Sequence, residues 1–196
     1  MIIALYGGTG SGKSTVADFL EKNHEAYILE ADKIAHMLYD KKQPGYKAIV
    51  KLCGKAVLDK NNNIDRKLLS QKLFSDDKLR DKVNKKIHPM VFRTFRTMSE
   101  DYLKKNPDGV VVYEAALPSP HLANFDSVWY VKTPLEKRID LLATNRGYSR
   151  EKSLSIIASQ GSDEYFEKLA DVIIINDSSL EDLEKKTDEA FEHCQR

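Results

Sequence analysis

Gly7-Gly8-Thr9-Gly10-Ser11-Gly12-Lys13-Ser14 is the stretch on which the reading of the fold turns. It fits G-x-x-x-x-G-K-[ST] at every position, and it lies between the apolar run Ile2-Ile3-Ala4-Leu5-Tyr6 and a helical pattern over 13–22. Glycines let the backbone turn so tightly that successive N–H groups converge on one point, which an anion then satisfies. A helix beginning there adds the partial positive charge of its N-terminus. Lys13 is placed to bridge β- and γ-phosphates, and the Ser14 hydroxyl to ligate Mg²⁺. A Gly-rich turn with a chance lysine seldom reproduces all these positions, and more seldom still between a strand and a helix. Gly8, Thr9, Gly10, Ser11, Gly12, Lys13, Ser14 and Thr15 are therefore expected to bind a nucleotide.

Outward from this loop, five short apolar runs read as strands: 2–6, 26–29, 110–113, 127–131 and 172–175. Their continuous apolarity is that of strands covered on both faces. Helical patterns separate them and end with 180–193. This alternation predicts an α/β fold, a parallel five-stranded P-loop NTPase core with right-handed crossovers and helices on both faces. About eighty residues separate the second and third runs, far more than one crossover helix needs. They read as several helices broken at Gln43-Pro44-Gly45, Asn61-Asn62-Asn63 and His88-Pro89. The expected organisation is one domain over 1–196, with a helical substrate-binding insertion over about 40–106 and a helical lid over about 134–165.

Composition narrows the class. Of 196 residues, 41% are hydrophobic and 31% charged, and 31 Lys and Arg nearly balance 30 Asp and Glu. A general nucleic-acid binder would carry a strong basic excess, so nucleic acid is not expected as a partner. No apolar run approaches the ~18 residues that span a membrane, and no signal peptide precedes the first strand. Cys53 and Cys194 stand far apart and read as free thiols of a reducing compartment. A cytoplasmic protein without membrane contact or an obligate protein partner is expected.

Two carboxylates stand at strand ends, where an open α/β sheet puts its ligands. Asp32 follows Ile28-Leu29-Glu30-Ala31, and Glu114 follows Val110-Val111-Val112-Tyr113. A carboxylate there can accept the proton of an attacking hydroxyl or hold waters on a metal. Asp32 equally suits the N-cap of the helical pattern beginning at Lys33, and Glu114 a solvated strand end.

Asp32-Lys33-Ile34-Ala35 resembles the Asp-x-Ile-Ala segment that follows the second strand in dephospho-CoA kinases. Ile64-Asp65-Arg66, Leu69, Phe74, Leu79, Ile87-His88-Pro89 and Val91 are similar to the helical substrate region of that family. Gln160, Ala170-Asp171 and Ile175-Asn176 resemble its pattern after the lid. The resemblance implies transfer of a phosphoryl group from ATP, with Mg²⁺, to the ribose 3′-hydroxyl of dephospho-coenzyme A. It implies Asp32 as general base beside Lys13, and Asp32, Arg66, His88, Pro89 and Glu114 at the substrate surface. It adds Arg138, Arg146 and Asn176 to the nucleotide site.

The chain departs from the family's pattern in two places. The family usually shows Asp, a Pro, two leucines and a Glu after the third strand; here stands Glu114-Ala115-Ala116-Leu117-Pro118-Ser119-Pro120. Arg146-Gly147-Tyr148-Ser149 is one residue tighter than the usual spacing, Asn145 occupies an arginine slot, and Ile156 stands where a further arginine is expected. The alternative reading is a nucleoside or nucleotide kinase of the same fold. A GTPase switch would need Asn-Lys-x-Asp, and Asn84-Lys85-Lys86-Ile87 lacks the Asp.

Overall fold

The computed structural model describes residues 1–118 and 122–195. β1 (Ile2–Tyr6) is the central strand and leads into α1 (Lys13–His24). There follow β2 (Tyr27–Glu30), α2 (Ala31–Leu38), α3 (Pro44–Cys53), α4 (Arg66–Phe74) and α5 (Asp77–Lys105). The chain then re-enters the sheet as β3 (Val111–Ala115) and β4 (Ser127–Lys132). It continues through α6 (Leu135–Arg146), α7 (Arg150–Ala158), α8 (Asp163–Glu167), β5 (Val172–Ile175) and α9 (Leu180–Cys194). The strand order is β2-β3-β1-β4-β5, with parallel pairing of β1 to both β3 and β4 and of β4 to β5. The expected α/β architecture is borne out.

Alternation along the strands builds two cores. Ile3, Leu5, Trp129 and Val131 bury against Val16 and Leu20 of α1 and Leu183 and Phe191 of α9. The intervening residues point the other way, and Tyr130 stacks on Phe166 of α8 with centroids 5.0 Å apart. Burial on both faces explains why β1, β3 and β4 read as unbroken apolar runs. β5 corrects that expectation. As an edge strand it is covered on one face only, so Ile174 is buried while Ile173 and Ile175 are 43% and 44% exposed.

Three further expectations are corrected. β3 runs two residues beyond the expected 110–113, because it pairs with β1 along its whole length; Glu114 lies opposite Leu5 inside the strand. Asp32 is not a helix cap. α2 starts directly off β2 with no loop between, so the extended residue before it is Glu30 (φ −80, ψ 121), and Asp32 falls in the first turn. Pro89 does not break a helix but lies inside the 29-residue α5. An interior proline costs roughly 3 kcal/mol; burial of Val83, Ile87, Val91 and Phe95 along the same helix offsets it.

The chain forms two compact units, residues 1–29 with 102–196, and residues 30–101. The first contains nearly all of the sheet and its covering helices. In the second, α2 packs on α3, and the Asp65 side chain caps α4 by accepting from the Lys67 and Leu68 N–H groups. No helix among the described residues is long and apolar enough to cross a membrane. Cys53 and Cys194 are free thiols, as expected.

Candidate active site

The loop between β1 and α1 takes the shape its glycines allow. Gly10 and Gly12 have φ of 83° and 88°, the left-handed region that L side chains rarely adopt. Gly12 caps α1, and a Cβ there would also stand 2.5 Å from the Asn176 amide nitrogen. At Gly8 the constraint is contact, since a Cβ would meet Arg138 Nη2 at 1.8 Å. α1 has no acidic residue in its first turn, so the charge of its N-terminus is left for a ligand.

Loop carbonyls are held from behind. The Ser11 carbonyl accepts from Thr133 Oγ1 at 2.6 Å and from Asn176 Nδ2 at 3.0 Å. The Thr9 carbonyl accepts from Arg138 Nε at 2.8 Å. Each donor comes from an element following β4 or β5, the two strands on one side of β1. With these carbonyls satisfied, the loop N–H groups not bonded within the protein can serve an anion; that of Ser11 donates to the Gly8 carbonyl at 3.0 Å and that of Thr9 to the Gln160 side chain at 2.8 Å. Arg138 and Asn176 thus lie in buried contact with the loop itself. Burial lowers the Arg138 pKa, but a guanidinium stays protonated.

Glu114 comes to the front of the loop. It is 8% exposed; Ser14 Oγ donates to its Oε1 at 3.0 Å, and Lys13 Nζ stands 3.5 Å from the same oxygen. Register explains this, because β3 pairs with the strand that ends in the loop. The extra methylene of Glu over Asp does not prevent contact with Ser14. Ser119 and Pro120 of the atypical segment lie outside the described residues.

A cleft of about 410 Å³ opens against the loop, lined by Lys13, Ser14, Thr15, Arg146 and Asn176 among others. Its far wall combines α6 with the segment leading into α9, and Lys137 Nζ donates to the Ser178 carbonyl across it. Asn145 also lines the cleft, whereas Ile156 lies on α7. Sequence reasoning missed Thr133 and Lys137, and it named Gln160 without a role. Thr133 directly follows β4, and a strand's C-terminal end is a positional signal for a functional residue in such a sheet. No sequence signal marks Lys137.

In the second unit, Asp32, Arg66, His36 and Tyr39 share one electrostatic neighbourhood. Burial lowers the His36 pKa, Arg66 lowers it further, and Asp32 opposes them. Burial raises the Tyr39 pKa, Asp32 adds to this, and Arg66 counters it. Asp32 and Arg66 are exposed and therefore accessible to a ligand. His88 and Pro89 are exposed on α5, and partial burial of the imidazole lowers the His88 pKa. Replacing Gly12 with Ala forces a left-handed Cβ against Asn176. MgATP affinity is expected to fall roughly 10–100-fold by calorimetry, with helix content by circular dichroism nearly unchanged.

A family model described as dephospho-CoA kinase matches residues 1–182. The dephospho-CoA kinase of Fusobacterium nucleatum is 38% identical over 191 residues, covering 96% of this chain and 95% of that protein. That of Aquifex aeolicus is 32% identical over 196 residues, covering 99% and 97%. A crystal structure from Thermus thermophilus superposes with a TM-score of 0.76 at 27% identity, covering 98% of this chain and 97% of the other. The dephospho-CoA kinase of Campylobacter jejuni shares the fold, with a TM-score of 0.70 at 22% identity over 98% of this chain and 96% of its own. The resemblance carried by Asp32-Lys33-Ile34-Ala35, His88-Pro89 and Asn176 is borne out, and the chain belongs to the dephospho-CoA kinase family.

Proposed function

We propose that this protein phosphorylates the ribose 3′-hydroxyl of dephospho-coenzyme A with ATP, giving coenzyme A and ADP. The observation that carries the reading is the complete phosphate loop, held open by its carbonyl contacts, in a chain of this family. ATP lies in the cleft with its phosphates on the loop, beside Thr15, Arg146 and Asn176. The acceptor oxygen attacks the γ-phosphorus, the bond to the β–γ bridging oxygen breaks, and ADP leaves. Asp32 takes the hydroxyl proton, and Lys13 follows the charge of the transferring group.

The donor set suits Mg²⁺. Among the described residues no group of three His, Cys, Asp or Glu could cage a metal. Mg²⁺ instead favours one or two protein oxygens plus substrate phosphates, and Ser14 with Glu114 supplies such a pair. When bound there, the ion would neutralise charge on the phosphate oxygens. The position of Glu114 beside Ser14 favours this role over contact with the acceptor.

Charge supports an anionic acceptor. Residues 30–101 hold seventeen Lys and Arg against ten Asp and Glu, so the near-neutral total conceals a basic unit. Dephospho-coenzyme A carries a diphosphate, for which Arg66 and the neighbouring lysines are suitable partners. A cytoplasmic location suits the two free thiols, which stay reduced there.

ADP release, followed by a coupled assay, is expected to rise strongly with dephospho-coenzyme A and little with adenosine, uridine or their monophosphates. A nucleoside or nucleotide that proves a far better acceptor moves the protein to that class of kinase. Asp32→Asn removes the proton acceptor while preserving shape, and with no cap bond to lose its melting temperature should hardly change. Its kcat is expected to fall roughly 10²–10⁴-fold; near-normal turnover would mean that the base lies elsewhere.

A further inference from the structure

Gln160, just beyond α7, turns both polar atoms of its amide on the phosphate loop and its support. Its Oε1 accepts from the Thr9 N–H at 2.8 Å and from Arg138 Nη2 at 2.5 Å, while its Nε2 donates to Thr9 Oγ1 at 2.8 Å. With the Arg138 bond to the Thr9 carbonyl, all three polar groups of Thr9 are taken up. The partners lie 151 and 129 residues away in sequence, so Thr9 is fixed by tertiary structure. Arg138 is only 8% exposed, and no carboxylate among the described residues pairs with it directly. The nearby Asp163 acts on it only at longer range and itself accepts from Tyr130 at 2.7 Å. A desolvated guanidinium therefore lies against Gly8, with Asp163 offsetting its charge only at longer range.

The chemistry of position 160 is selective. A glutamate of the same length could accept the Thr9 N–H and the Arg138 bond, and the Thr9 hydroxyl could turn to donate to it. It would also give the buried guanidinium a carboxylate partner, which relieves the cost of an unpaired buried charge. The neutral amide forgoes that pairing and makes the same contacts. We infer that Gln160 is a positioning residue for nucleotide binding, pinning Thr9 while leaving the Arg138 charge available to the anionic triphosphate. This rests on the nucleotide-binding reading of the loop and is independent of which acceptor is used.

The test is MgATP affinity by calorimetry on the full chain, with thermal melting, for Gln160→Glu and Gln160→Ala. Gln160→Glu keeps the contacts and changes the charge: its melting temperature should equal or exceed that of the parent while its Kd for MgATP weakens about tenfold or more. Gln160→Ala removes the contacts; it should raise the KM for ATP by a similar factor and change kcat less. If Gln160→Ala folds poorly, the isosteric glutamate still decides. A Gln160→Glu protein that binds MgATP like the parent overturns the proposal. A parent chain that binds no MgATP would instead sink the nucleotide reading itself.

Discussion

A backbone loop can aim its N–H groups at an anion only if its carbonyls are satisfied elsewhere. In this protein that constraint is met by hydrogen bonds from Thr133 and Asn176 to the Ser11 carbonyl and from Arg138 to that of Thr9. The donors are side chains on elements that follow β4 and β5, so the sheet must be assembled before the loop has its shape. The motif supplies permissive backbone, and the tertiary structure selects one conformation of it. This is preorganisation, in which the ordering cost falls on folding rather than on nucleotide binding.

The same sheet places the acid. Parallel pairing of β3 with β1 sets Glu114 opposite Leu5, two residues before the loop begins, and from there its carboxylate reaches both Ser14 and Lys13. The pairing of Glu114 with Lys13 compensates a carboxylate that would otherwise be costly at 8% exposure. Cations are distributed differently in the two units. The sheet-bearing unit concentrates a few at its loop and cleft, whereas residues 30–101 carry a general basic excess.

Local signals were legible in the sequence and distant ones were not. The phosphate loop, β1 and β5 could be placed to the residue because glycines, apolar runs and a helix start are encoded within a few positions. The one-sided burial of β5 was not legible, since an edge strand differs from a central one only in its neighbours. Asp32 looked like a cap because its residue type favours caps, and only the direct passage from β2 into α2 moved the cap to Glu30. Pro89 looked like a break because proline propensity is local, while the burial that holds α5 together is not. Arg138, Asn176 and Gln160 were legible as significant through resemblance. Their contacts with the loop carbonyls and with Thr9 span separations of 129 to 165 residues, which no local pattern reports.

The central claim is that this loop stabilises a phosphoryl group in flight, and Lys13 is the point charge placed to follow it. Turnover by Lys13→Met, measured beside its circular dichroism spectrum, tests this most directly. The account predicts a native-like spectrum and a collapse in the rate of ADP formation with dephospho-coenzyme A. A folded Lys13→Met protein that keeps most of its activity would contradict it.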